Sequence, residues 1–251
     1  MAPEQSWEAD RYTEHAGFVS ELGADALVLL DPQAGERVLD LGCGEGALTQ
    51  RLVDAGCTVV GVDAAAAMVE AARGRGLDAR VADGQRLAFR GEFEAVFSNA
   101  ALHWMLDADA VLGGVRLALK PGGRFVGEFG GHGNVAMIVE ALQGVLACHG
   151  VAGGGRMPWY FPTPADYAVK LTAAGFTVDT IALFPRPTLL PTDMSGWLDV
   201  FGEGFFAQLD HPAARPGALR EVVELLRPSL CDGAGRWTAD YVRLRFAAHL
   251  P

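Results

Sequence analysis

Between residues 37 and 129, short apolar runs alternate with helical stretches, and this alternation constrains the fold more than any other feature. Residues 37–41 (RVLDL) read as a buried strand. Residues 47–55 read as a helix with Leu48, Leu52 and Val53 on one face and Gly56 as its stop. A second strand (58–62, TVVGV) and a second helix (64–72, with Met68 and Val69 inward) repeat the unit. A short third strand (79–82), a fourth strand (93–98) and a helix (109–119) follow. Lys120-Pro121-Gly122-Gly123 reads as a turn feeding a fifth strand over 124–129. Strands that alternate with helices at this spacing build βαβ units, hence an α/β fold around a parallel sheet. Apolar strand runs fit strands buried on both faces.

Outside this region the pattern is less regular. Residues 1–30 read as helical, with Ala26, Leu27 and Leu30 facing inward. Helices are expected over 135–148 and from 163 or 164 to about 174, with a glycine-rich break at 150–155 between them. Residues 176–184 and 241–247 read as strands, and 192–230 as two helices joined by a proline-rich loop at 211–216. The formal net charge of -11 argues against a broad nucleic-acid surface, which needs clustered Lys and Arg. Four widely spaced cysteines, with no CxxC pair and no adjacent His cluster, point to reduced thiols and a cytoplasmic protein without a metal site. The N-terminus lacks the pattern of a signal peptide, and no apolar run approaches a membrane span.

The chemistry concentrates where the first strand meets the first helix, at Asp40-Leu41-Gly42-Cys43-Gly44-Glu45-Gly46. Glycines at 42, 44 and 46 allow a ligand to approach the main chain. In open α/β sheets ligands bind at this edge, outside the carboxyl ends of the strands. Dinucleotide enzymes carry a similar loop, GxGxxG, but here the third glycine comes one residue early. Asp63 ends the second strand about 20 residues beyond the loop, where a carboxylate can accept hydrogen bonds from a ribose diol. Its other reading is a helix cap. Asp83, after the third strand, is placed to accept from an adenine amino group or to close a turn. Asp40 adds negative charge beside the loop, and Cys43 reads as a small residue that fits it.

Val38 to Gly46 resembles the first motif of class I S-adenosylmethionine (SAM)-dependent methyltransferases. Val60-Gly61-Val62-Asp63 resembles their ribose-binding acidic motif, and Ala82-Asp83-Gly84 their adenine-side motif. Phe93 to Ala100 and Leu119 to Gly123 resemble their fourth-strand motif and the turn before the fifth strand. Asn99-Ala100-Ala101-Leu102-His103-Trp104 narrows the likeness to the methyltransferase type 11, trans-aconitate methyltransferase-like group. The resemblance implies a Rossmann-like, seven-stranded, mostly parallel sheet whose last strand is antiparallel, with helices on both faces and a helical lid. It implies one SAM-dependent methyltransferase domain over 1–251: an N-terminal lid segment (1–30), a SAM-binding core (37–129) and a helical insertion (192–230). The implied cofactor is S-adenosyl-L-methionine, leaving as S-adenosyl-L-homocysteine. Its expected contacts are Asp40, Gly42, Gly44, Gly46, Asp63, Ala64, Met68, Ala82, Asp83, Gly84, Asn99 and Ala100, with Tyr12 and His15 closing over it.

The expected reaction is O- or C-methylation of a small-molecule metabolite or acid, independent of nucleic acid and membrane. His103 follows the fourth strand, where a neutral imidazole can take a proton from a hydroxyl or orient the acceptor. Its other reading is packing beside Trp104. Glu128 and His132 flank Gly130-Gly131 at the end of the fifth strand and are candidates for a substrate role, Glu128 as a second catalytic group. Trp159, Tyr160 and Phe161 are candidates for an apolar pocket wall or for core, and Arg186, Arg215 and Arg220 for an acidic substrate. Two rivals remain at this level: a SAM-binding module without turnover, and an NAD(P)-dependent oxidoreductase.

Overall fold

The computed structural model describes residues 23–251. Its first elements are α1 (Ala24–Leu30), β1 (Arg37–Leu41), α2 (Ala47–Asp54), β2 (Thr58–Asp63), α3 (Ala66–Gly74) and β3 (Ala79–Val81). Then come β4 (Phe93–Asn99), α4 (Ala108–Ala118), β5 (Leu119–Gly130), α5 (Ala136–Cys148), α6 (Pro164–Ala173) and β6 (Thr177–Pro185). The chain ends with β7 (Thr188–Leu189), α7 (Met194–Phe201), α8 (Glu203–Phe206), α9 (Arg215–Leu230), β8 (Thr238–Ala239) and β9 (Val242–His249). The described residues form two compact units, one of 23–132, 159–184 and 243–251, the other of 133–158 and 185–242.

The first unit is built on a 7-stranded sheet in the order β3-β2-β1-β4-β5-β9-β6. β1 pairs in parallel with β2 and β4, as do β2 with β3 and β4 with β5, while β9 runs antiparallel to β5. The expected α/β sheet with an antiparallel last strand is therefore present. Alternation along each strand sends successive side chains to opposite faces. Val38, Ala95, Phe97 and Val126 pack with Leu30 of α1 and Leu48 and Leu52 of α2. Leu39, Leu41, Val96, Phe125 and Phe129 pack with Val111, Leu112 and Val115 of α4 and Tyr167 and Leu171 of α6. Phe97 and Phe125 are fully buried, each burial contributing about 2–3 kcal/mol.

Two expectations are corrected here. Lys120 to Gly123 is not a separate turn: Leu119 already pairs with Phe93, and the ladder continues through a register shift before Ala95 meets Arg124. The extra residues are taken up as a bulge, with Gly122 in the left-handed region at φ 73°. α3 begins at Ala66 rather than 64, because Ala65 is extended and gives its N–H to the Asp63 side chain.

At the amino edge of this sheet, Arg124 of β5 gathers the end of α1. Its Nε donates to Leu30 O at 2.8 Å and Nη2 to Asp31 O at 3.0 Å. Both terminal nitrogens donate to the Glu36 carboxylate at 2.7 Å. The guanidinium thus satisfies carbonyls at the end of α1 that have no helical partner.

The second unit is largely helical. α5, α7, α8 and α9 bury Leu142, Leu146, Trp197, Phe205 and Leu226. β7 pairs antiparallel with β8, and Cys231 bridges to Trp237. Residues 192–230 hold three helices rather than two, because the chain leaves α7 at Gly202 before α8 begins. The Trp197 indole N–H donates to the Tyr241 hydroxyl at 2.5 Å. No described helix is long and apolar enough to cross a membrane.

Candidate functional site

β1 ends at Leu41, and the N–H groups of Gly42 and Cys43 both donate to Val62 O on β2, at 2.8 and 3.0 Å. The glycine loop is thereby held across the carboxyl ends of both strands. Gly42 has φ 79°, a region costly for other residues. A Cβ there would also collide with the Ala101 methyl, so this loop and the one after β4 are in direct contact. Gly44 has the opposite surroundings: a Cβ there would meet nothing within 4 Å. Its backbone faces open space, which is the approach a ligand needs.

Two carboxylates fix this end of the sheet. Asp63 accepts the Gly44 N–H on Oδ2 at 3.0 Å and the Ala65 N–H on Oδ1 at 2.9 Å. The carboxylate keeps acceptor capacity beyond these bonds. Burial raises the Asp63 pKa above the usual carboxylate range, opposed by backbone N–H groups of Ala65, Gly44 and Ala64. Asp40 shares the sheet face of Val38, which turns it under α2, and its Oδ2 accepts the Thr49 hydroxyl at 2.6 Å. Burial pushes Asp40 up to about 7; the Thr49 hydrogen bond opposes the shift and the charge of Asp63 adds to it. Ser98 of β4, fully buried, donates to Leu41 O at 2.7 Å and pins the start of the loop. Asp83 caps the turn at Gly84–Arg86, accepting the Gln85 N–H at 2.9 Å. That is its turn reading, and its carboxylate remains half exposed on the same edge.

The β4–β5 end is organised differently. A parallel ladder in which Ala100 N–H donates to Glu128 O, here at 2.7 Å, would next pass the Gly130 N–H to the carbonyl of Ala100. Ala100 instead has φ 56° and turns the chain away. The Gly130 N–H donates to Nδ1 of His103, at 3.3 Å, within the turn Leu102–Trp104. His103 is 8% exposed. Its pKa lies well below the usual imidazole value because of burial and then the charge of Arg243. The strand register explains Arg243, which stands opposite Gly130 on β9. Around the imidazole lie the Trp104 ring at 5.5 Å and the Phe161 ring at 5.8 Å. Trp159 stacks on Phe161 at 5.6 Å and meets Trp104 edge-on at 5.7 Å. The Tyr160 N–H donates to His103 O at 2.9 Å, tying this segment to the turn.

The structure therefore brings Asp40, the glycine loop, Asp63, Asn99, Ala100 and His103 to one edge of one sheet. Ala64 follows β2, Met68 is buried in α3, and Ala82 and Gly84 follow β3. Gly23, just before α1, lies against Leu48 and the Asn99 amide, where a Cβ would come within 2.9 Å of Nδ2. Tyr12 and His15 lie outside the described residues. Glu128 is buried, and its Oε2 accepts from Arg245 Nε at 2.6 Å; Arg245 also pairs with Asp25 at 3.0 Å. Its carboxylate is thus engaged in an ion pair, which a free base would not be. His132 gives its N–H to Pro162 O at 2.8 Å. Arg215 is bound by Asp199 and Glu203 at 2.9 and 3.0 Å, so its charge is already answered within the second unit. Sequence reasoning missed Thr49, the Gly130 N–H and Arg243. A hydroxyl in the first turn of the helix after Asp40 was the visible signal for the first. Two arginines spaced by two in an otherwise apolar strand were the signal for the last.

The family model described as a methyltransferase domain matches residues 39–127, which spans this edge from β1 to β5. An uncharacterized methyltransferase of Schizosaccharomyces pombe is 38% identical over 98% of this chain and 99% of its own length. A trans-aconitate 2-methyltransferase of Deinococcus radiodurans is 33% identical over 85% of this chain and 76% of its own. Among solved structures, phosphoethanolamine N-methyltransferase 2 of Haemonchus contortus, in complex with phosphomonomethylethanolamine and S-adenosylhomocysteine, matches with a TM-score of 0.60. It is 20% identical, and the match covers 97% of this chain and 57% of that one. Full-length likeness to one methyltransferase, a methyltransferase domain over the glycine loop and the seven-stranded sheet agree: the chain is an enzyme of the class I SAM-dependent methyltransferase family, with SAM as its cofactor.

Proposed function

We propose that this enzyme transfers the methyl group of SAM to an oxygen or carbon of a small-molecule acceptor, held beside His103. The supporting observation is the aromatic enclosure of Trp104, Trp159 and Phe161 around a buried imidazole at the carboxyl edge of the sheet. Such a wall excludes water and suits a compact organic molecule rather than a phosphate backbone. The 33% identity to a trans-aconitate 2-methyltransferase supports the same reading.

In this reading Asp63 receives the ribose hydroxyls, and the open backbone at Gly44 gives the cofactor its approach. Gly42, Gly46, Ala64, Met68, Ala82 and Gly84 shape its walls, and Asp83 lies on the adenine side. Asp40 sits behind the loop, and Asn99 and Ala100 flank the amino-acid end. The bound sulfonium supplies an activated methyl group. The protein contributes alignment of the acceptor and exclusion of water.

Two measurements test this. Calorimetric titration with SAM, S-adenosylhomocysteine and NAD is expected to show binding of the first two alone. Labelled methyl transfer from SAM to a panel of small carboxylic acids, phenols and metabolite extracts is expected to yield at least one small methylated product. Label appearing only in protein or RNA would overturn the small-molecule reading.

A further inference from the structure

We infer that His103 meets the methyl acceptor as an Nε2–H hydrogen-bond donor and not as a base, its tautomer being fixed by the backbone N–H of Gly130. The inference rests on the proposed methyl transfer beside His103 and specifies the acceptor it takes.

The argument is one of valence. A neutral imidazole has one N–H and one lone pair in the ring plane. The Gly130 N–H points at Nδ1, so the lone pair is there and the ring proton is on Nε2. Among the described residues none bonds to Nε2, whose proton lies on the side of the ring away from Gly130. To act as a base through Nε2, the ring would first have to move its proton to Nδ1. Two N–H groups, those of Gly130 and Nδ1, would then face each other inside the protein. Becoming imidazolium has the same consequence, and burial and the charge of Arg243 oppose it further. Tyr160 N–H on the His103 carbonyl and the rings of Trp104 and Phe161 hold the residue in this orientation.

The acceptor class follows. An alcohol must lose a proton as its oxygen takes the methyl group, and Nε2 has no vacancy for it. An oxygen already ionised in neutral water needs none. Its lone pair forms the new O–CH3 bond, the C–S bond breaks with its pair going to sulfur, and no proton moves. A carboxylate or an acidic phenol or enol satisfies this and accepts a hydrogen bond from Nε2–H.

The test uses the full-length protein with S-adenosylhomocysteine and histidine labelled with 15N. Long-range 1H–15N correlation, with His103 assigned by its loss in His103→Gln, is expected to show a protonated Nε2 and unprotonated Nδ1, unchanged from pH 6 to 8.5. An Nδ1–H tautomer, or titration of His103 in that range, would overturn the inference. This measurement decides the tautomer even if no methyl transfer is found, so the two readings fail separately. In turnover, His103→Gln places an amide N–H near the Nε2 position and is expected to stay within about tenfold of wild type in kcat, while His103→Ala loses about 100-fold. Equal losses in both variants, with an acidic limb of imidazole pKa in the wild-type kcat/KM profile, would instead establish a base.

Discussion

The two ends of the carboxyl edge use backbone N–H groups for opposite purposes. At the β1–β2 end, N–H groups of Gly44 and Ala65 converge on the Asp63 carboxylate and stabilise a charge that burial disfavours. At the β4–β5 end, a single N–H from Gly130 lands on Nδ1 of His103, a ring whose basicity burial lowers. In both places the donor is available because the ladder stops. The chain leaves β2 through an extended Ala65 and leaves β4 through a left-handed Ala100. One break therefore turns backbone donors onto an acid and the other turns one onto a base.

The strongest way to break this comparison is to separate the two loops. Gly42→Ala places a methyl against Ala101 in a left-handed conformation. It is expected to cost about 3 kcal/mol of stability and to weaken SAM binding at least 100-fold, on the order of 2.7 kcal/mol. Thermal unfolding and calorimetry check this; an unchanged melting temperature would mean the loops are not packed as described. Next in size, Asp63→Ala removes the carboxylate and leaves two N–H groups without their acceptor. SAM affinity is expected to fall at least tenfold, about 1.4 kcal/mol, in a folded protein. Unchanged affinity would remove Asp63 from the site.

The effect that touches stability alone sharpens the acid side. Burial pushes the folded Asp40 carboxyl up to about 7, from an ordinary value of 3.8. Between these values the folded state keeps a proton that the unfolded chain has lost, so this group's stabilisation is complete below about pH 4 and is lost as pH rises toward 7. Asp40→Asn has no such dependence and can still accept the Thr49 hydroxyl. The ligand-free variant is expected to gain on wild type as pH rises from 5 to 8, by up to about 2 kcal/mol. Parallel stability–pH curves for the two proteins would show that Asp40 is ionised throughout.

The residues that sequence makes legible are those whose role is local. β1 and α2 follow directly from apolar period and a glycine stop, and Asp63 from its place at a strand end. Thr49 on Asp40 depends on how the first turn of α2 sits over β1, and Gly130 on His103 and Arg243 opposite Gly130 depend on how segments far apart in the chain meet, neither of which periodicity encodes. The second unit is harder still. α7, α8 and α9 are short or interrupted by Gly202 and the prolines at 212 and 216, so their apolar spacing is broken. The bulge in β5 was hidden by the Pro-Gly-Gly run, which has the composition of a turn but stays within the ladder.

Arg124 sits at the opposite edge from all of this chemistry, tying α1, Glu36 and β5 with four hydrogen bonds from one rigid fork. Anchorage and recognition are thus spatially divorced in this unit. The carboxyl-edge loops share none of these anchoring bonds, so substitutions there leave the Arg124 contacts in place. The same separation makes the carboxyl-edge loops, rather than the strands, the place to graft a new acceptor specificity in the laboratory.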